Sequence, residues 1–310
     1  MVSIAYLSHP ACLAHDVGEF HPECPARLYA IEDDLSQSQI ASRIKYIKAP
    51  KVDMAHLIRV HDQEYIDSLF ECSPQSGCIA LDQDTLMMSH TLVAALHAAG
   101  AVVEAVDLVM DADFIRAFCG VRPPGHHAKR AQAMGFCYFN NIAVGVAYAC
   151  SQYDLKRVAI VDFDVHHGNG TEDIFKSDPR VLLCSSFQHP FYPFTGANTT
   201  VENILNMPLI ANTNGTLWRA KIEQQWLPKL SNFAPQLIFV SAGFDAHWED
   251  DMSQINLVED DYQWLTQRLV ALASRHCQGR IISVLEGGYA LKALGRSVLV
   301  HLNSLLRDQY

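Results

Sequence analysis

Positive charge is scarce in this chain: 23 Lys and Arg stand against 34 Asp and Glu, a formal net charge of −11. A broad phosphate-binding surface needs the opposite balance, so direct binding of DNA or RNA is not expected. The first residues, from Met1 to His9, lack the basic and then apolar stretches of a signal peptide. No later segment reaches transmembrane length without charge, so no membrane association is expected. Paired cysteines are missing as well. The nine cysteines are an odd number with no C-x-x-C spacing, and Cys119, Cys137, Cys150 and Cys184 fall in apolar or strand-like contexts. That pattern argues against a disulfide scaffold and for a reduced, cytoplasmic protein. Internal repeats, low-complexity segments and linkers are also absent, so residues 1–310 are expected to form one domain.

What is present is an ordinary globular composition, 49% hydrophobic and 18% charged, with an unusual supply of fifteen histidines. Material for a core is ample, and the histidines favour metal or acid–base chemistry. Apolar runs predict strands at residues 3–7, 43–48, 114–121, 157–164, 181–186, 236–242 and 280–285. Helical spacing predicts helices from Pro25 onward and at 54–58, 63–70, 90–110, 140–152, 171–176, 217–230, 260–276 and 291–306. Residues 73–84 read as loop, as does everything after 186 through 214. Strands alternating with helices imply right-handed crossovers, a parallel sheet and helices on both faces. Ligands of such folds gather beyond the C-terminal ends of the strands. Four polar segments fall there, after strands 114–121, 157–164, 236–242 and 280–285.

The richest of these segments runs from Arg157 to Gly170. Its apolar residues 158–161 read as a buried strand, followed by Asp162, Asp164 and His166. In extended chain this spacing of two puts all three on one face. Two carboxylates and an imidazole at the end of a buried strand are costly to desolvate, and a divalent cation compensates. Asp164 and His166 supply two ligands. Asp245, after its own apolar strand, is the best third, although alone it would read as a helix cap. His126 and His127, in the Pro/Gly loop after strand 114–121, are then free for proton transfer. Asp162 can hold His126, and Asn169 can hold His127 more weakly, leaving two histidines of different pKa. Tyr289, in Glu286-Gly-Gly-Tyr289, can offer its hydroxyl to a developing oxyanion, though Gly-Gly-Tyr alone is a weak signal. Gly135, Phe136 and Tyr192 can wall a slot for an alkyl chain.

Taken together and in order, six segments resemble the histone deacetylase and acetylpolyamine amidohydrolase family, on its class II-like bacterial side. They are His21-Pro-Glu-Cys-Pro-Ala-Arg-Leu28, Arg122-Pro-Pro-Gly-His-His-Ala128, Gly135-Phe-Cys-Tyr-Phe-Asn-Asn141, Asp162-Phe-Asp-Val-His-His-Gly-Asn-Gly170, Ser241-Ala-Gly-Phe-Asp245 and Leu285-Glu-Gly-Gly-Tyr289. The resemblance implies an arginase-like α/β fold, three layers with a central parallel eight-stranded sheet. It implies Zn²⁺, with Fe²⁺ as the other candidate, on Asp164, His166 and Asp245. It implies His127 as general base and acid, His126 as its electrostatic partner and Tyr289 on the acyl oxygen. It further implies potassium held by carbonyls of Asp162, Asp164 and His166 with Ser185 and Ser186, and a second monovalent site at Phe175, Asp178 and Val181.

Three residues depart from the family pattern. Phe194 stands where Gly is frequent, and is expected to narrow the entrance. Trp248 is unusual in its loop. Met252 stands where polyamine-selective members carry Glu, while Asp250 and Asp251 leave an acidic rim open. The expected activity is removal of acetyl or a related acyl group from lysine side chains of a protein or peptide, with small acylated amines such as acetylpolyamines as the alternative. A catalytically silent acyl-lysine or partner-binding module is the alternative of another class. Arginase-type chemistry with two Mn²⁺ needs carboxylates where His126 and His127 stand. A homo-oligomer is compatible with the sequence.

Overall fold

The computed structural model describes residues 2–307. Its strands are β1 (Ile4–Ser8), β2 (Ile44–Lys48), β3 (Cys78–Ala80), β4 (Leu86–Met88), β5 (Arg116–Cys119), β6 (Val158–Asp162), β7 (Val181–Gln188), β8 (Ile204–Leu209), β9 (Leu237–Ala242) and β10 (Ile281–Leu285). Strands β3 and β4 pair antiparallel as a small ribbon. The other eight form one sheet in the order β2-β1-β5-β10-β9-β6-β7-β8. Every neighbour in it is parallel. Strands β5, β6, β9 and β10 are buried along their whole length. Fully buried, mostly apolar strands of this kind are what a sheet covered on both faces requires. The edge strand β2 is instead largely open, with Lys45, Tyr46 and Lys48 exposed.

The helices are α1 (Pro10–Ala14), α2 (Ala26–Ser36), α3 (Met54–Leu57), α4 (Gln63–Cys72), α5 (Thr91–Met110), α6 (Asn141–Gln152), α7 (Asn169–Phe175), α8 (Gly215–Phe233), α9 (Glu259–His276) and α10 (Leu291–Leu305). Helix α10 packs on α2 and α9, and α9 on α8; α5 packs on α1 and α6. These two groups are the outer layers of the α/β sandwich. Helix α5 is long and apolar enough to cross a membrane by length and composition, although it carries Glu104 and Asp107. It is largely buried inside the fold, which is the role of a core helix. Side chains set several helix starts. Asn140 Oδ1 accepts from the Ala143 N–H at 3.0 Å, and Asn214 Oδ1 from the Leu217 N–H at 3.1 Å.

Three expectations change. Residues 187–214 are not all loop, because they contain β8, the far edge of the sheet. Its pairing sets Phe187 opposite Pro208, and an edge strand tolerates a proline. Residues 73–84 contain β3, too short for any periodicity to show. Strand β6 stops at Asp162, so Asp164 and His166 lie beyond extended chain.

Candidate active site

Strands β5, β10, β9 and β6 are four consecutive neighbours in the sheet. Their C-terminal ends carry His126 and His127, Glu286 to Tyr289, Asp245, and Asp162 to His166. Sheet order thus converts four separate segments into one site.

The common facing of the β6 residues comes from turns rather than from a strand. Asp162 Oδ1 accepts from the Asp164 N–H at 3.1 Å, and Asp164 Oδ1 from the His166 N–H at 2.8 Å. Each carboxylate caps the amide two residues on, which curls the chain and points the next side chain inward. Asp164, His166 and Asp245 come together, with one candidate ligand atom from each within 4.8 Å of the others. His166 Nδ1 lies 3.1 Å from Asp164 Oδ1 and 3.1 Å from Asp245 Oδ2. A tetrahedral ion with bonds of about 2.0–2.2 Å holds its ligands about 3.3–3.6 Å apart, close to the two spacings from His166. The carboxylates are also oriented from outside. Asp164 Oδ2 accepts from the Gly287 N–H at 2.8 Å and Asp245 Oδ1 from the Val165 N–H at 2.9 Å.

Electrostatics point the same way. Burial, with Asp164 alongside, pushes Asp245 up to about 6. Burial opposes charge on His166, yet hydrogen bonds to Asp164 and Asp245 carry it up to about 10. A site that recruits a proton in this way is short of positive charge, which a divalent cation supplies.

The two histidines of the β5 loop are set apart by their partners. His126 Nδ1 lies 3.0 Å from Asp162 Oδ2. Burial works against its charge, but Asp164 and Asp162 outweigh burial and raise it to about 10. His127 Nδ1 lies 2.7 Å from Asn169 Oδ1. Burial first, and then the charges of His126 and His166, hold His127 well below its ordinary value. An amide oxygen can only accept, so Nδ1 carries the hydrogen and Nε2 the lone pair. Asn169 Nδ2 meets the Met134 sulfur at 3.2 Å, which agrees with that amide orientation.

A cavity of about 290 Å³ opens above this floor, and His126, His127, His166 and Tyr289 line it. Its walls include Gly135, Phe136, Tyr192 and Met252, all of them sequence candidates. Gly135 has φ +57° and any Cβ there would meet the His127 ring at 2.4 Å, so glycine is required. Phe194 does not narrow the entrance: it is 72% exposed and absent from the lining. Its φ of +62° lies in the left-handed region that glycine adopts without strain. Asp250 forms no acidic rim, because it is buried with 3% exposure, while Asp251 is exposed. Trp248 is 59% exposed and likewise outside the lining.

Three contributors escaped the sequence reading. Phe191 lines the cavity and stacks on His166 with ring centroids 5.5 Å apart. Asp84 lines it too, accepting from the Gly135 N–H at 3.2 Å. Neither has a periodic or motif signal. Glu286 accepts from the Gly125 and His126 N–H groups at 2.7 and 3.1 Å and so pins the histidine loop. Its place after an apolar strand, as with Asp245, was the available clue.

The monovalent-cation candidates divide. Ser185 Oγ is buried with no hydrogen-bond partner among the described residues, and Ser185 pairs with Asp162 across β6 and β7. An orphaned hydroxyl there suits the first expected site. Ser186 Oγ instead accepts from Trp218 Nε1 at 3.1 Å. At the second site, the carbonyls of Phe175, Asp178 and Val181 converge on Asn203 Nδ2, at 2.9, 3.0 and 3.0 Å. An amide nitrogen fills that ring, so these residues do not fit a cation while Asn203 stays in place.

The fold and this site together define a hydrolase of the α/β amidohydrolase class. A family model of the histone deacetylase domain matches residues 21–305. The chain belongs to the histone deacetylase family. It is 39% identical to an uncharacterized protein of Synechocystis sp., over 99% of this chain and 100% of that one. It is 34% identical to a histone deacetylase-like amidohydrolase of Pseudomonas aeruginosa, over 87% of this chain and 73% of that one. Type-2 histone deacetylase 2 of Dictyostelium discoideum is 36% identical over 97% of this chain, which spans only 20% of that protein. The crystal structure of the HDA15 HD domain superposes with a TM-score of 0.92 at 32% identity, covering 98% of this chain and 88% of that one.

Proposed function

We propose that the chain is a zinc-dependent deacylase that removes acetyl or a related acyl group from lysine side chains of proteins or peptides. One observation carries the reading. Two adjacent histidines, one tied to a carboxylate and one to an amide, share a cavity floor with a three-ligand cluster.

Asp164, His166 and Asp245 would hold the ion, which when bound polarises the acyl carbonyl and makes water acidic at neutral pH. His127, neutral and with its lone pair on Nε2, accepts a proton from the attacking water. His126, kept charged by Asp162, stabilises the negative charge that develops nearby. Tyr289 donates its hydroxyl to the acyl oxygen as charge builds there. His127 then returns its proton to the nitrogen as the amide C–N bond breaks. Water has been added across that bond, giving a carboxylic acid and an amine, which exchange a proton to leave as carboxylate and ammonium.

The cavity walls support an alkyl stem. Phe136, Phe191 and Tyr192 are aromatic, and Met252 adds adaptable apolar contact without charge. A polyamine carries a second ammonium a few bonds from the scissile amide and gains from a carboxylate at the position of Met252. Acyl-lysine peptides should therefore show a higher kcat/KM than acetylpolyamines. Met252→Glu should shift the ratio toward polyamines by roughly tenfold, about 1.4 kcal/mol in relative transition-state binding. A panel of acetyl-lysine, longer acyl-lysine and acetylspermidine substrates tests this. Wild-type preference for acetylspermidine, or an unchanged ratio in the variant, would refute the assignment of Met252. A reducing, cytoplasmic setting belongs to the same proposal, since all nine cysteines are free thiols.

A further inference from the structure

The tyrosine that faces the cavity follows two buried glycines. Gly287 is there because a Cβ would meet Asp245 Oδ2 at 2.1 Å, and Gly288 has φ +120°, a conformation reserved for glycine. Two glycines leave the backbone before Tyr289 with little stiffness of its own. Something outside the segment has to fix where the Tyr289 hydroxyl goes. Arg27 secures the carbonyl side: its Nε donates to Gly288 O at 2.6 Å, and its guanidinium lies 5.0 Å from the Tyr289 ring centroid.

The N–H side is secured by one carboxylate from another loop. Asp250 Oδ2 accepts from the Tyr289 N–H at 2.7 Å and from the Ala290 N–H at 3.0 Å. Its other oxygen, Oδ1, accepts from the Met252 N–H at 3.1 Å. The loop that carries it starts at Asp245 and is tied back there by Ser253 Oγ, which donates to Asp245 O at 2.8 Å. One buried side chain therefore joins the backbones of two cavity-lining residues, Tyr289 and Met252, which are far apart in sequence. A buried carboxylate taking three N–H bonds is a strong, directional anchor.

We infer that Asp250 is a positioning residue for Tyr289 and couples the tyrosine to the Met252 edge of the cavity. This rests on the deacylase reading for its kinetic consequence, but not for its structural one. Asp250→Asn keeps the size and one acceptor oxygen, and turns an amide group toward N–H donors that it cannot satisfy. Its kcat on an acetyl-lysine peptide should fall at least tenfold while bound metal, measured by elemental analysis, stays at the wild-type level. In a Tyr289→Phe background the same substitution should change kcat less than twofold, because the hydroxyl that it positions is gone. Full multiplication of the two losses, or loss of metal together with activity, would overturn the inference. Amide hydrogen exchange separates its failure from failure of the deacylase reading. In the wild type, the Tyr289 and Ala290 amides should be strongly protected although both residues are only half-buried, and in Asp250→Asn they should exchange at least tenfold faster. Unprotected wild-type amides would refute the anchor whatever the enzyme hydrolyses, and even if the variant does not fold.

Discussion

His127 shows how a single neighbour sets the chemistry of a residue. Its partner is the Asn169 amide, whereas His126 is held by the Asp162 carboxylate. The amide fixes the tautomer without adding negative charge, so burial keeps His127 neutral and able to take a proton. Asn169→Asp should reverse this. A carboxylate on Nδ1 favours the imidazolium and raises the pKa of His127. Activity needs the neutral form and is lost as pH falls through that pKa. A raised pKa therefore moves the acidic limb of the kcat/KM profile to higher pH, by roughly one unit. A limb that stays in place, or moves to lower pH, would show that His127 is not the base. The pairings of both histidines were legible in the sequence because the four residues carry obvious chemistry near strand ends. Asp84 and Phe191 were not legible, since nothing in a loop sequence says which side chain turns toward a cavity.

Among the elements, the central strands were easy to read and β8 was not. Strands β6, β9 and β10 are buried on both faces and leave mostly apolar runs. Strand β8, at the sheet edge, mixes Asn206, Met207 and Pro208, and its burial is partial. Missing that strand also hid Asn203, which comes just before it. Asn203 Nδ2 takes the centre of the carbonyl ring formed by Phe175, Asp178 and Val181. An amide has two hydrogens for three carbonyls, so it satisfies this ring nearly as a cation would. In crystals soaked with Rb⁺, the anomalous signal should therefore be absent from this ring in the wild type and present in Asn203→Ala. A wild-type peak there, with Asn203 swung away, would contradict the assignment.

On the scale of the whole molecule, the site exists because β5, β10, β9 and β6 are neighbours. Hydrophobic periodicity shows that these strands exist but not their order; the resemblance of the six segments to one family supplied the architecture. What periodicity did establish is that the polar segments follow the strands, and parallel strands bring such segments to one end of the sheet. The central claim is that a metal held by Asp164, His166 and Asp245 is required for deacylation. The most direct test is metal content and turnover of an acetyl-lysine peptide, measured together on the same samples. The wild type should carry about one Zn²⁺ per chain, as expected for a three-ligand site. It should lose turnover with a chelator and recover it on adding Zn²⁺, and both Asp164→Ala and Asp245→Ala should lack metal and turnover. Full turnover of the metal-free protein, or stoichiometric metal with a normal rate in either variant, would contradict the account.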